Sequence, residues 1–212
     1  MKIYHIYLLP LIFILSLAGC SVPPAVDQNG LVLPNDSIKQ EVRLGRILHD
    51  QALQRLGETH PEANALYRQA RATEAQGELD IAIETYHKAM QKAPESGLLL
   101  TGLGMAYLRN EDIVPARRYL IKAVNYDPDY YRSRLGLGYI YLQNKQLQKA
   151  IIQLEASLDL LPTVQGAFLL AEAEEGNKNL QRARQLYQTV VHADKNGKLG
   201  KTAVDRLRSL AK

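Results

Sequence analysis

Small residues recur along this chain at a nearly constant interval. Ala70, Gly104, Gly138 and Ala171 stand 34, 34 and 33 residues apart, and Ala82, Ala116, Ala150 and Ala183 repeat those spacings twelve residues later. Two more series run in the same register: Tyr86, Leu120, Leu154 and Tyr187, then Ala89, Ala123, Ser157 and Val190. A period of this length marks one supersecondary unit copied along the chain, each copy burying its apolar face only against its neighbours. Small residues at the eighth and twentieth places of a unit let two antiparallel helices approach closely. Leu103, Tyr107 and Leu120, then Leu137, Tyr141 and Leu154, fill the space between units. Pro94, Pro128 and Pro162 close the first three units, because proline cannot continue a helix. Pro115 falls in the first turn of its helix, where a missing N–H is tolerated.

These residues resemble the tetratricopeptide repeat (TPR), a helix–turn–helix unit of 34 residues. The resemblance implies an all-α fold, a right-handed TPR superhelix or α-solenoid of about four repeats with flanking N- and C-terminal helices. The units are 63–96, 97–130, 131–163 and 164–197. The first departs from the pattern at Gln69 and Thr73. The fourth has lost one residue in the preceding turn, lacks a closing Pro and carries Glu174 where Tyr107 and Tyr141 stand.

The ends of a solenoid need covering. Ser37-Ile-Lys-Gln40 is a capping-box pattern. It predicts an N-terminal capping segment, 37–62, helical to about Leu56 with Leu44, Ile47, Leu48, Ala52 and Leu56 near one face, stopped by Gly57 and Pro61. Leu199, Ala203, Leu207 and Leu210 form one stripe of a C-terminal capping helix in 198–212. Ten helices and no strands are expected.

Residues 1–19 have a different character. Lys2 and His5 precede an apolar run from Ile6 to Ala18, too short to cross ~30 Å of hydrocarbon comfortably. This is the layout of a secretory signal. Leu17-Ala18-Gly19-Cys20 resembles the lipobox of bacterial lipoproteins, and Cys20 is the one cysteine of the chain. The resemblance implies removal of 1–19, lipidation of Cys20 and anchoring in a bilayer. Ser21 after the cysteine points to the periplasmic face of the Gram-negative outer membrane. Residues 20–36 hold Pro23, Pro24, Pro34 and Gly30 without helical period and read as a tether. A lone cysteine excludes an internal disulfide. A net charge of +4, evenly spread, gives no nucleic-acid footprint.

No HExxH, GxSxG, P-loop or GxGxxG motif occurs, so neither a metal nor a cofactor is called for. His87 reads as a solvated surface side chain. Glu172 and Glu175 are the only carboxylate pair with a bearing on acid–base work, the basis of an alternative hydrolase reading. TPR proteins bind an extended peptide or a helix on the concave face. Carried over by position, the groove comprises Tyr67, Arg68, Arg71, Met105, Leu108, Arg109, Arg132, Leu135, Tyr139, Leu142 and Phe168. Such apolar and aromatic residues serve either a partner or an end helix folded into the concavity. The carboxylate-clamp positions hold Tyr67, Arg71, Gly102, Arg132 and Gly136, of which only Arg132 is chemically close to that subclass. The basic C-terminal stretch, from Lys195 to Lys212, reads as the solvated face of its helix. The expectation is a non-catalytic adaptor or assembly factor with a periplasmic or envelope protein partner, in pilus or secretion assembly or envelope quality control. A homo-oligomeric scaffold is the alternative.

Overall fold

The structure, a computed structural model, describes residues 37–211. The signal segment 1–19, Cys20 and the tether up to residue 36 lie outside the described residues. Ten helices follow one another, with no strand among the described residues: α1 (Ser37–Thr59), α2 (Pro61–Ala75), α3 (Leu79–Lys92), α4 (Gly97–Arg109), α5 (Ile113–Tyr126), α6 (Tyr131–Gln143), α7 (Leu147–Leu160), α8 (Val164–Gly176), α9 (Leu180–Ala193) and α10 (Lys198–Ser209). They pack as consecutive antiparallel pairs, and each inner helix also touches the next inner one, α2 on α4, α4 on α6, α6 on α8 and α8 on α10.

The periodic residues carry this packing. Ala70, Ala171, all four alanines of the second series, and Tyr86, Leu120, Leu154 and Tyr187 are fully buried. A Cβ on Gly104 would stand 2.7 Å from Leu120 Cγ, and one on Gly138 2.5 Å from Leu154 Cγ. In the two middle units the twenty-fourth residue thus seats on the eighth. The prolines act on the residue before them, whose α conformation they disfavour. Ala93, Asp127 and Leu161 have ψ of 74°, 83° and 111°, ending α3, α5 and α7.

The turns inside the units share one geometry that the sequence pattern had not singled out. Gly77, Glu111, Lys145 and Lys178 all have positive φ, at 84°, 63°, 56° and 67°. Each is followed by a residue whose N–H returns to the carbonyl five residues back, as from Asp112 to Tyr107 at 2.9 Å and from Gln146 to Tyr141 at 2.8 Å. These are Schellman closures, which satisfy the last carbonyls of the inner helix.

The helix α1 departs from expectation in two respects. It runs through Gly57 to Thr59, and a Cβ at Gly57 would lie 2.4 Å from Asn64 Nδ2, so this glycine serves a close approach to α2 and not a stop. Its packed seam is also rotated. Ala52 and Leu56 are buried, whereas Leu44 and Ile47 are exposed. The seam runs instead through Glu41, Gly45, His49, Ala52 and Leu56. Leu56 shares a buried cluster with Leu98 at the start of α4, and His49 shares a 3.1 Å hydrogen bond with the Tyr130 hydroxyl before α6. Gly45 faces Tyr131 and Leu161, and Glu41 accepts the Val164 N–H of α8 at 2.9 Å. The helix therefore lies across the N-terminal ends of three inner helices, with its own start at the fourth unit.

Candidate partner-binding surface

The inner helices α2, α4 and α6 bring Tyr67, Arg71, Leu98, Thr101, Gly102, Met105, Arg109, Tyr130 and Arg132 around one shallow pocket of ≈ 20 Å³, about the room of a single water, so that a partner would meet its rim. Five of the eleven groove residues named from the sequence meet there: Tyr67, Arg71, Met105, Arg109 and Arg132. The charge of the pocket is organised by Glu74, the last groove-side residue of α2 before its C-terminal turn. Its side chain is fully buried and accepts from Arg71 Nη1 at 2.5 Å, from Arg109 Nη1 and from the Tyr86 hydroxyl at 3.2 Å. One carboxylate thus holds two guanidinium groups in place, as charge-assisted hydrogen bonds do. With Arg132 the pocket carries three cations against one anion.

Aromatic groups line this basic site. Tyr67 meets His49 of α1 at 6.0 Å between ring centroids and Tyr86 edge-on at 5.8 Å. Burial pushes the Tyr67 phenol above its ordinary range, with Tyr130 adding to the effect, so it stays a neutral donor. Burial and the charges of Arg132 and Arg71 hold His49 below its ordinary value, which keeps the imidazole neutral beside the arginines.

The other predicted groove residues sit elsewhere. Arg68 is exposed and donates to Asn64 Oδ1 at 3.3 Å, outside the pocket. Leu108 packs against the Ala116–Leu120–Leu137–Ile140 cluster. Leu135 and Phe168 are 9% and 7% exposed, within the C-terminal core, where Phe168 contacts Tyr187 edge-on at 5.7 Å. Tyr139 and Leu142 are half-buried against that core. Packing uses most of the apolar stripe, and what stays accessible is the arginine-rich end with Met105 and Tyr139.

The acidic end is covered. Arg206 of α10 donates to Glu172 at 3.2 Å and lies 4.0 Å from Glu175, which also accepts the Tyr187 hydroxyl at 2.7 Å. Burial raises the Glu172 carboxyl despite Arg206. Both acids are occupied in fastening α10. Glu174, in the place of the repeat tyrosine, is buried and accepts from Arg182 at 2.6 Å. Of the basic C-terminal stretch, Arg206, itself exposed, pairs with Glu172 and Arg208 pairs with Asp205 at 3.1 Å. His87 is half-buried, bonded to the Tyr107 hydroxyl at 2.8 Å and set against Tyr119, so the solvated reading is corrected. Among the described residues no group of His, Cys, Asp and Glu could hold a metal, and no helix is long and apolar enough to cross a membrane.

Comparison with known proteins agrees with this architecture. Tetratricopeptide-repeat models match residues 64–96 and 101–164. The BBSome complex member BBS4 of Bos taurus is 42% identical over 62 residues, covering 29% of this chain and 12% of that protein. The chloroplastic TPR domain-containing protein PYG7 of Arabidopsis thaliana is 27% identical over 140 residues, 64% of this chain and 46% of that protein. The chain thus spans less than half the length of these relatives. Among solved structures, PilF of Pseudomonas aeruginosa aligns with TM-score 0.60 at 24% identity, covering 82% of this chain and 86% of that one. YrrB, described as a TPR protein with an unusual peptide-binding site, aligns with TM-score 0.59 at 20% identity over 80% and 86%. The first TPR of Spaghetti (RPAP3), bound to an HSP90 peptide, aligns with TM-score 0.55 at 23% identity over 56% and 95%. Residues 64–96 and 101–164 are tetratricopeptide repeats, and the described residues form an all-α TPR superhelix.

Proposed function

We infer that this chain is a non-catalytic adaptor or assembly factor of the bacterial cell envelope, carried on a lipidated Cys20 at the periplasmic face of the outer membrane. The observation that carries the recognition half is the pocket between α2, α4 and α6. Three arginines, two tyrosines and Met105 converge there, and only Glu74 offsets their charge. Such a site favours a protein segment with an acidic or carboxylate group beside an apolar one, because guanidinium groups read carboxylates through paired N–H donors. The structural neighbours YrrB and the RPAP3 TPR, whose descriptions name a peptide site and a bound peptide, support this use of the fold. The anchoring half rests on the lipobox-like Leu17-Ala18-Gly19-Cys20. The client belongs to envelope assembly, as in pilus or secretion machinery, or to envelope quality control.

Two measurements test the reading. Metabolic labelling with a palmitate analogue is expected to mark the wild type and not Cys20→Ser, and label on neither defeats the anchor. A crosslinked pull-down from native envelopes is expected to lose one protein or complex in Met105→Ala/Arg132→Glu. Identical capture by the variant defeats the pocket as the recognition surface.

A further inference from the structure

The outward side of α1 from Lys39 to Ile47 has no partner among the described residues, and its composition is specific. Val42, Leu44 and Ile47 are 53%, 40% and 41% exposed. Lys39, Arg43 and Arg46 are exposed too, and no described residue forms an ion pair with any of them. The one acid of this stretch, Glu41, points the other way, onto the Val164 N–H. Because helix neighbours lie three or four residues apart, Lys39, Arg43 and Arg46 form one strip, and Leu44 and Ile47 a second beside it. Asp50 and Glu58 appear only in the later turns. The basic and apolar face is therefore confined to the end of α1 at which the described chain begins.

We propose that this end of α1 docks on an anionic bilayer surface, its cations among the lipid headgroups and Leu44 and Ile47 at the acyl boundary. Cationic strips flanked by exposed aliphatic side chains bind such surfaces through combined charge attraction and apolar burial. The placement rests on the anchoring proposed above. Only 16 residues, 21–36, separate Cys20 from Ser37, and a chain of that length reaches at most ~55 Å. A lipid on Cys20 thus keeps α1 within reach of the membrane it enters. Docking turns the N-terminal ends of α4, α6 and α8 toward the bilayer, since α1 lies across them, and leaves Val114 on the opposite edge. The C-terminal helix is a weaker candidate because Arg206 and Arg208 are engaged with carboxylates.

The test uses the full lipidated chain, reconstituted into vesicles of phosphatidylcholine alone or mixed with phosphatidylglycerol. An environment-sensitive fluorophore is placed on Ile47→Cys or, as reference, on Val114→Cys. The proposal expects a blue shift at position 47 in the anionic vesicles, a smaller one in neutral vesicles and none at position 114. In Lys39→Glu/Arg43→Glu/Arg46→Glu the anionic shift is expected to vanish while the protein still floats with the vesicles. A solvated probe at position 47 in floating protein overturns the docking and leaves the anchor intact. A shift that survives charge reversal also overturns it. Protein that floats with neither composition overturns the anchor and the docking together.

Discussion

The Tyr86 hydroxyl donates to the Glu74 carboxylate, twelve residues before it, at 3.2 Å. The same pairing recurs in the fourth unit, from Tyr187 to Glu175 at 2.7 Å. The two middle units have Leu120 over Leu108 and Leu154 over Leu142 in these places. Repeat packing is therefore apolar in the middle of the array and polar at its ends, and each polar end takes an arginine from the following unit or end helix, Arg109 or Arg206. Removing both guanidinium partners strands the buried Glu74. Arg71→Ala/Arg109→Ala should cost about 3 kcal/mol or more, while Glu74→Gln, which leaves two half-exposed arginines to water, should cost clearly less. Urea unfolding followed by circular dichroism measures both.

The seat of Leu154 on Gly138 leaves no room for a side chain. Gly138→Leu should lower stability by ~1–3 kcal/mol or more through overpacking. The same replacement at Gly77, where no atom stands within 4 Å of a Cβ, should act only through its positive φ. Thermal unfolding of the pair separates crowding from backbone strain.

Lys145 holds a left-handed backbone that costs an L-residue roughly 1 kcal/mol and a glycine almost nothing. Lys145→Gly should leave stability unchanged or raise it by up to ~1 kcal/mol, and Gly77→Ala should lower it by about 1 kcal/mol. Opposite signs at equivalent turns, read as shifts in the denaturation midpoint, check the assignment.

His49 links acidification to the seam of α1. Burial first, then Arg132 and Arg71, depress its folded value below the ordinary 6.5. Beneath that value the unfolded chain binds more protons than the folded one, so stability falls as the pH drops from 6.5 through the folded value. His49→Gln should flatten this segment of the stability–pH curve. An unchanged slope would place the proton uptake elsewhere.

The order of the eight repeat helices, α2 to α9, was legible because four classes of residue share one register, and every one of those classes is buried. The charge network was less so. Glu74 stands at a groove position where a solvent-facing acid is the ordinary expectation, and only the distance from Arg109, 35 residues on, reveals its role. The turn geometry had a signal in Gly77, but Glu111, Lys145 and Lys178 read as plain polar residues unless aligned beneath it. The seam of α1 was hidden for a related reason. Hydrophobic patterning follows Leu44, Ile47 and Leu48, whereas contact is made through Glu41, Gly45 and His49, a stripe of acid, glycine and imidazole. Phe168 and Leu135 show the converse, since aromatic and apolar residues at groove positions are drawn into the core where α6 and α8 meet.

The central claim is that the arginine-rich surface around the pocket between α2, α4 and α6 binds a partner. Site-specific photocrosslinking in intact cells tests it most directly, with the photoreactive residue at Met105 in the pocket or at the exposed Ile81 on the outer helix α3. The account predicts one discrete adduct from Met105, lost in Arg132→Glu, and none from Ile81. Adducts from Ile81 alone, or from both sites alike and indifferent to Arg132, would contradict it.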